Sequence, residues 1–159
     1  MVLAYKLTVG FAAAALALGM AGVAGAGELK ADLVACPTGI NIGDVNSCGK
    51  IWKLKHGHAH LSSDGKLMVE VKGLVLNDAS TGEFNGTPDG VDGVAAAVLC
   101  VGASGPAVAA QTDVVPLSKS GDAKVHAKVS VPSGCIAPIV VLRERYQGKI
   151  GGWLAGTGL

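Results

Sequence analysis

From Asp122 to Val131 the chain alternates strictly: Ala123, Val125, Ala127, Val129 and Val131 interleave with Lys124, His126, Lys128 and Ser130. Successive side chains of a β-strand point to opposite faces, so this pattern describes a strand with one dry face and one wet face. A sheet that covers a core on one side only produces it, and such sheets are antiparallel. Lys66 to Leu76 repeats the alternation, with Leu67, Val69 and Val71 on one face. No segment carries a convincing helical period. Further strands are predicted at Ile51–Leu61, Val94–Val101, Asp113–Leu117, Ile136–Arg143 and Ile150–Ala155. Ser63-Asp64-Gly65 and Lys119-Ser120-Gly121-Asp122 read as hairpin turns, because glycine accepts a positive φ there. Asn77–Gly93 reads as a long irregular loop and Gly102–Ala110 as a smaller flexible one. The expectation is an all-β fold, an immunoglobulin-like two-sheet antiparallel sandwich of about seven strands. The Cys-Trp-Cys spacing of antibody domains is absent, so the expectation concerns architecture alone.

The start of the chain decides what its cysteines mean. Lys6, an apolar run through Phe11–Leu18, and Ala24-Gly25-Ala26 have the order of a secretory signal peptide over residues 1–26. Gly10, Gly19 and Gly22 interrupt the apolar run, which falls short of the roughly 20 apolar residues a membrane span needs. Residues 27–159 are then a single disulfide-stapled domain with no transmembrane span, secreted or periplasmic. Leu33-Val34-Ala35-Cys36 has the form of a lipobox, but Glu28, Lys30 and Asp32 separate it from the apolar run. Lipidation would also leave an odd number of cysteines in an oxidising compartment. Cys36, Cys48, Cys100 and Cys135 permit three pairings. Proximity favours Cys36–Cys48, and a strand-to-loop bridge then joins Cys100 to Cys135. Removing Lys6 from the 13 Lys and Arg leaves 12 against 12 Asp and Glu. That neutral balance offers no excess of cations to neutralise phosphates, so nucleic acid is not an expected partner.

The sharpest chemical candidate is the run Lys55-His56-Gly57-His58-Ala59-His60. In a strand, residues two apart share a face, so His56, His58 and His60 line up at intervals of about 7 Å. A metal could be presented to two of them, with His126 on another strand as a possible third ligand. Neutral imidazole suits Cu and Zn. The competing reading is a solvated face, with Ala59 and Leu61 turned inward. No carboxylate is evident to orient the rings, as metal-bound histidines require. Asp78, Glu83, Asn85, Asp89 and Asp92 are oxygen donors of a kind that binds Ca²⁺, but their spacing does not match the EF-hand loop. Nucleophile elbow, P-loop and dinucleotide fingerprint are all missing from the mature chain.

Two resemblances add to this reading. His58-Ala59-His60, with His126, resembles the His-x-His pattern of copper/zinc superoxide dismutase, which would imply Cu and Zn as cofactors. The zinc-binding run of that family has no counterpart, since Asn77–Gly93 contains no histidine. Val115-Pro116-Leu117-Ser118, Gly121-Asp122-Ala123, Cys135-Ile136-Ala137-Pro138-Ile139-Val140 and Trp153–Gly158 together resemble uncharacterised small exported bacterial β-sandwich proteins. That likeness implies export and a sandwich and names no substrate. The leading expectation is a non-enzymatic exported protein without a cofactor, in a binding or structural role with a protein or envelope partner. The competing expectation is a metal-binding protein, a Cu or Zn carrier or a dismutase-like enzyme, using His56, His58, His60 and His126.

Overall fold

The computed structural model describes residues 28–88, 90–102, 105–135 and 137–158. The predicted signal peptide, 1–26, lies outside them. The described residues form twelve strands: β1 (Leu29–Asp32), β2 (Val34–Ala35), β3 (Trp52–Lys53), β4 (His56–Leu61), β5 (Lys66–Lys72), β6 (Val75–Leu76), β7 (Val91–Gly102), β8 (Gly105–Gln111), β9 (Val115–Pro116), β10 (Ala123–Lys128), β11 (Pro138–Tyr146) and β12 (Lys149–Gly156). Strands β1-β4-β5-β10 make one antiparallel sheet. A second sheet runs β2-β12-β11-β7-β8, with β9 also paired to β7, and β3-β6 is a small third. The fold is all-β, and its sheets are not closed into a barrel.

Of the five strands beyond the expected seven, β1, β2 and β8 lie where no strand was predicted, and two arise from breaks with one physical reason. The predicted strands Ile51–Leu61 and Lys66–Leu76 are each broken at the same level of the sheet. Gly73 has φ +66°, a conformation that side chains resist, and a Cβ there would lie 2.9 Å from Cβ of Lys55. The kink is pinned from the turn that precedes β10, because Gly73 N donates to Asp122 Oδ1 (2.9 Å) and Leu74 N to the Gly121 carbonyl (2.9 Å). Beyond it the two chains peel away from their sheet and pair separately, Trp52 opposite Leu76 and Lys53 opposite Val75. Ser63-Asp64-Gly65 closes the β4–β5 hairpin as expected. The turn at Lys119–Asp122 joins β9 to β10, which belong to different sheets, so it is a crossover and not a hairpin. Gly102–Ala110, expected to be flexible, is mostly β8, paired along β7. The long loop contains a 3₁₀ segment, Ala79–Phe84, started by Asp78, whose Oδ1 accepts from Ser80 N (2.9 Å).

The two large sheets contribute to one hydrophobic core. In β5, Leu67, Val69 and Val71 are buried while Lys66 and Lys72 are exposed; in β10, Ala123 and Val125 are buried while Lys124, His126 and Lys128 are exposed. The second sheet behaves differently. Every residue of β7 from Gly93 to Leu99 is buried, and since neighbours point to opposite faces, both faces of this strand are covered. Part of the cover is the segment between Cys36 and Cys48. Its Asn46 carbonyl accepts from Trp153 N on β12 (3.0 Å), and its Asp44 Oδ1 accepts from Val108 N on β8 (3.3 Å). Those strands flank β11 and β7, so the segment crosses them, with Ile42 and Val45 buried. Trp153 is fully buried, and its indole N–H donates to the Ile40 carbonyl (2.9 Å).

Disulfides join Cys36 to Cys48 and Cys100 to Cys135, the expected pairs, and no described cysteine is free. They fit an oxidising compartment, extracellular or periplasmic. No described helix is long and apolar enough to cross a membrane. With sequence separations of 12 and 35, chain entropy assigns the bridges about 3 and about 4 kcal/mol. Replacing Cys36 and Cys48 by Ala should therefore cost about 3 kcal/mol in urea unfolding, and also free the strap from Trp153.

Glu144 generates a second prediction. It lies half-buried against Gly151, and desolvation holds its carboxyl above the ordinary 4.5, only partly offset by the Gly152 N–H that it accepts (3.3 Å). The folded state keeps this proton more tightly than the unfolded state, so stability falls as pH rises above about 4.5 through the raised value. Glu144→Gln keeps the acceptor and removes the charge. Its melting temperature should exceed the parent's at pH 7 and match it at pH 4.

Candidate functional site

All four histidines stand on the outer face of the sheet β1-β4-β5-β10. Ala59 and Leu61 are buried beneath it, while His56 and His58 are exposed and His60 is half-exposed. Strand register arranges the face into rows. Asp32, His58, Glu70 and Lys124 form one row across the four strands, and Lys30, His60, Met68 and His126 form the next. Lys72 lies opposite His56.

Ion pairs run through both rows. Glu28 Oε1 lies 3.2 Å from His60 Nε2 and 3.2 Å from Lys30 Nζ. The Lys30 contact, with that of His60 after it, holds the Glu28 carboxyl below its usual range. Glu70 accepts from Lys124 Nζ (3.2 Å) and has Lys72 Nζ at 3.8 Å. Its carboxyl is likewise held low, chiefly by Lys124. At the hairpin end Asp64 accepts from Ser62 Oγ and pairs with Lys66 Nζ (3.0 Å). These are exposed pairs, each of small energetic value.

Two open grooves follow the rows. One, of about 510 Å³, is lined by His60, Asp64, Met68 and His126 among others. The other, of about 520 Å³, is lined by Lys30, Asp32, His58, His60 and Met68 among others. His60 and Met68 border both.

The four histidines thus share a face without meeting at one point. Steps of two residues along β4 put His56 and His60 roughly 13 Å apart, beyond the reach of one ion. Among the described residues, no group of three or more His, Cys, Asp and Glu is arranged to hold a metal. Across strands, His60 and His126 lie on either side of Met68. Met68 and Glu28 are absent from the sequence-derived ligand set. The signal for Glu28 was present, since Glu28-Leu29-Lys30-Ala31-Asp32 alternates as a strand does; no local pattern reports that Met68 lies between two histidines.

Of the long loop's oxygen donors, Asp78, Asn85 and Asp92 are engaged with protein partners, Asn85 through its Oδ1, which accepts from Asp78 N (3.1 Å). Asp78 caps the 3₁₀ segment and lies 3.9 Å from Lys50 Nζ, and Asp92 accepts from Arg145 Nε at 2.8 Å. Asp89 lies outside the described residues. No protein-family model, curated protein or solved structure matches the chain.

Asp64 offers a test of the hairpin end of this face. Its bond from Ser62, and then that from Lys66, lower its carboxyl from the ordinary 3.8 to about 2. A depressed folded value contributes stability above about 3.8 that is lost as pH falls toward 2. Asp64→Asn removes this dependence. Between pH 4 and pH 2 the variant's urea midpoint should fall less than the parent's.

Proposed function

We propose that this chain is an exported, non-enzymatic protein that binds a partner at the cell envelope or outside the cell through the open face of β1-β4-β5-β10. The observation that carries the reading is the contrast between the two large sheets. The strands at the centre of the second are covered on both faces, whereas the first keeps a polar face of alternating Lys, His and carboxylate side chains. A flat array of paired charges suits recognition of another surface, because complementary charges fix orientation and exclude wrong partners. Chemistry needs a base, a nucleophile or an oxyanion site converging on one reacting atom, and the rows of this face run parallel. Oxidised cysteines support export, and the signal-like start of the sequence agrees with it. An immunoglobulin-like sandwich belongs to the same reading, supported by the one core to which the two large antiparallel sheets both contribute.

Sedimentation of the purified protein with cell envelopes from its own source tests the reading. The double substitution His58→Gln, Lys124→Gln removes the histidine and the lysine of one row at exposed positions without setting carboxylates side by side. It should reduce the bound fraction at least tenfold with the melting temperature unchanged. Lys149→Glu, exposed on β12 of the other sheet, should bind as the parent does. A parent that fails to co-sediment, or a double variant that binds normally, overturns the proposal.

A further inference from the structure

We infer that His60, Met68 and His126 form a site for one soft metal ion, Cu(I), in the groove between β4 and β10. The inference rests on reading this face as the part of the protein that binds, and it names a ligand for its second row.

The three residues come from three adjacent strands at one level, His60 opposite Met68 and Met68 opposite His126. Strands lie about 4.8 Å apart, so the two histidine backbones are roughly 9.6 Å apart with the thioether midway. Imidazoles leaning inward from both sides, with metal–nitrogen bonds of about 2.0 Å, can close that gap above Met68.

The donor set selects the metal. Thioether and imidazole are ligands of Cu(I), whereas Zn²⁺ sites in proteins are built from Cys, His and carboxylate. Met68 is half-buried, and buried Leu67 and half-buried Ala127 also line the groove, so the sulfur sits at an apolar margin suited to a low-charge ion. His60 already has the partner a ligating histidine needs: one ring nitrogen is within 3.2 Å of the Glu28 carboxylate, which orients the ring and leaves the other nitrogen for a metal.

The test uses the full exported chain with both disulfides intact, titrated anaerobically with Cu(I) against the chromophoric chelator bicinchoninate. One equivalent should survive desalting, with sulfur in the coordination shell by X-ray absorption. Met68→Leu conserves volume and, like His126→Ala at an exposed position, should leave the melting temperature unchanged. Each should weaken Cu(I) binding at least tenfold. His56→Ala and His58→Ala lie off the row and should change it less than twofold. No retained Cu(I), unchanged affinity in Met68→Leu, or a loss in His58→Ala equal to that in His126→Ala overturns the inference. The variants used for envelope binding occupy the other row. Failure of envelope binding with Cu(I) retained therefore sinks the envelope reading alone, and the reverse result sinks copper alone.

Discussion

Burial of β7 on both faces is the constraint on which the rest of the molecule depends. Its centre, Val94-Ala95-Ala96-Ala97-Val98-Leu99, leaves no side chain for solvent, so the fold must provide two covers. The shared core is one. The strap between Cys36 and Cys48 contributes to the other, and small side chains on β7 let neighbouring chain approach closely. The strap's own Gly43 shows the same economy of space: a Cβ there would fall 1.7 Å from the Pro106 carbonyl oxygen. Small side chains bury little apolar area each, at about 25 cal/mol per Å². Covalent closure of the strap compensates by limiting the freedom of the unfolded chain.

Division of labour between the sheets follows. A strand wet on one side can carry polar groups without desolvating them, and the alternation in β4, β5 and β10 does so. The histidines, lysines and carboxylates accumulate where water already reaches them. On the second sheet the main acidic exception, Glu144, sits half-buried and bears the electrostatic cost of that position. The polar face proposed to bind is thus the one whose groups stay hydrated.

Much of this was legible in the residues. Alternation in Lys66–Lys72 and Ala123–Lys128 identified strands and their inward faces, because burial on one side writes itself into every second position. The cysteine pairs followed from proximity and strand ends. Illegible were features set by contacts between distant segments. The break at Gly73 depends on Asp122 and Gly121, and nothing local to Val71-Lys72-Gly73-Leu74 reports them. Gly105–Gln111 contains glycine, proline and alanine, which argue for a loop; pairing with β7 overrides those preferences. For the same reason the alignment of His60, Met68 and His126 is a property of register, and register between strands 58 residues apart is invisible to pattern.

The fold also leaves β10 at the rim of its sheet, bonded among the described residues to β5 alone. Such a strand offers its outer row of amides and carbonyls to any passing chain, including another molecule of the same protein. Two copies meeting antiparallel about His126 would set Lys124 of each directly against Lys128 of the other. Like charges in facing positions repel, and they would do so twice in one short ribbon. In that register the spacing of these lysines makes β10 a poor template for its own copy.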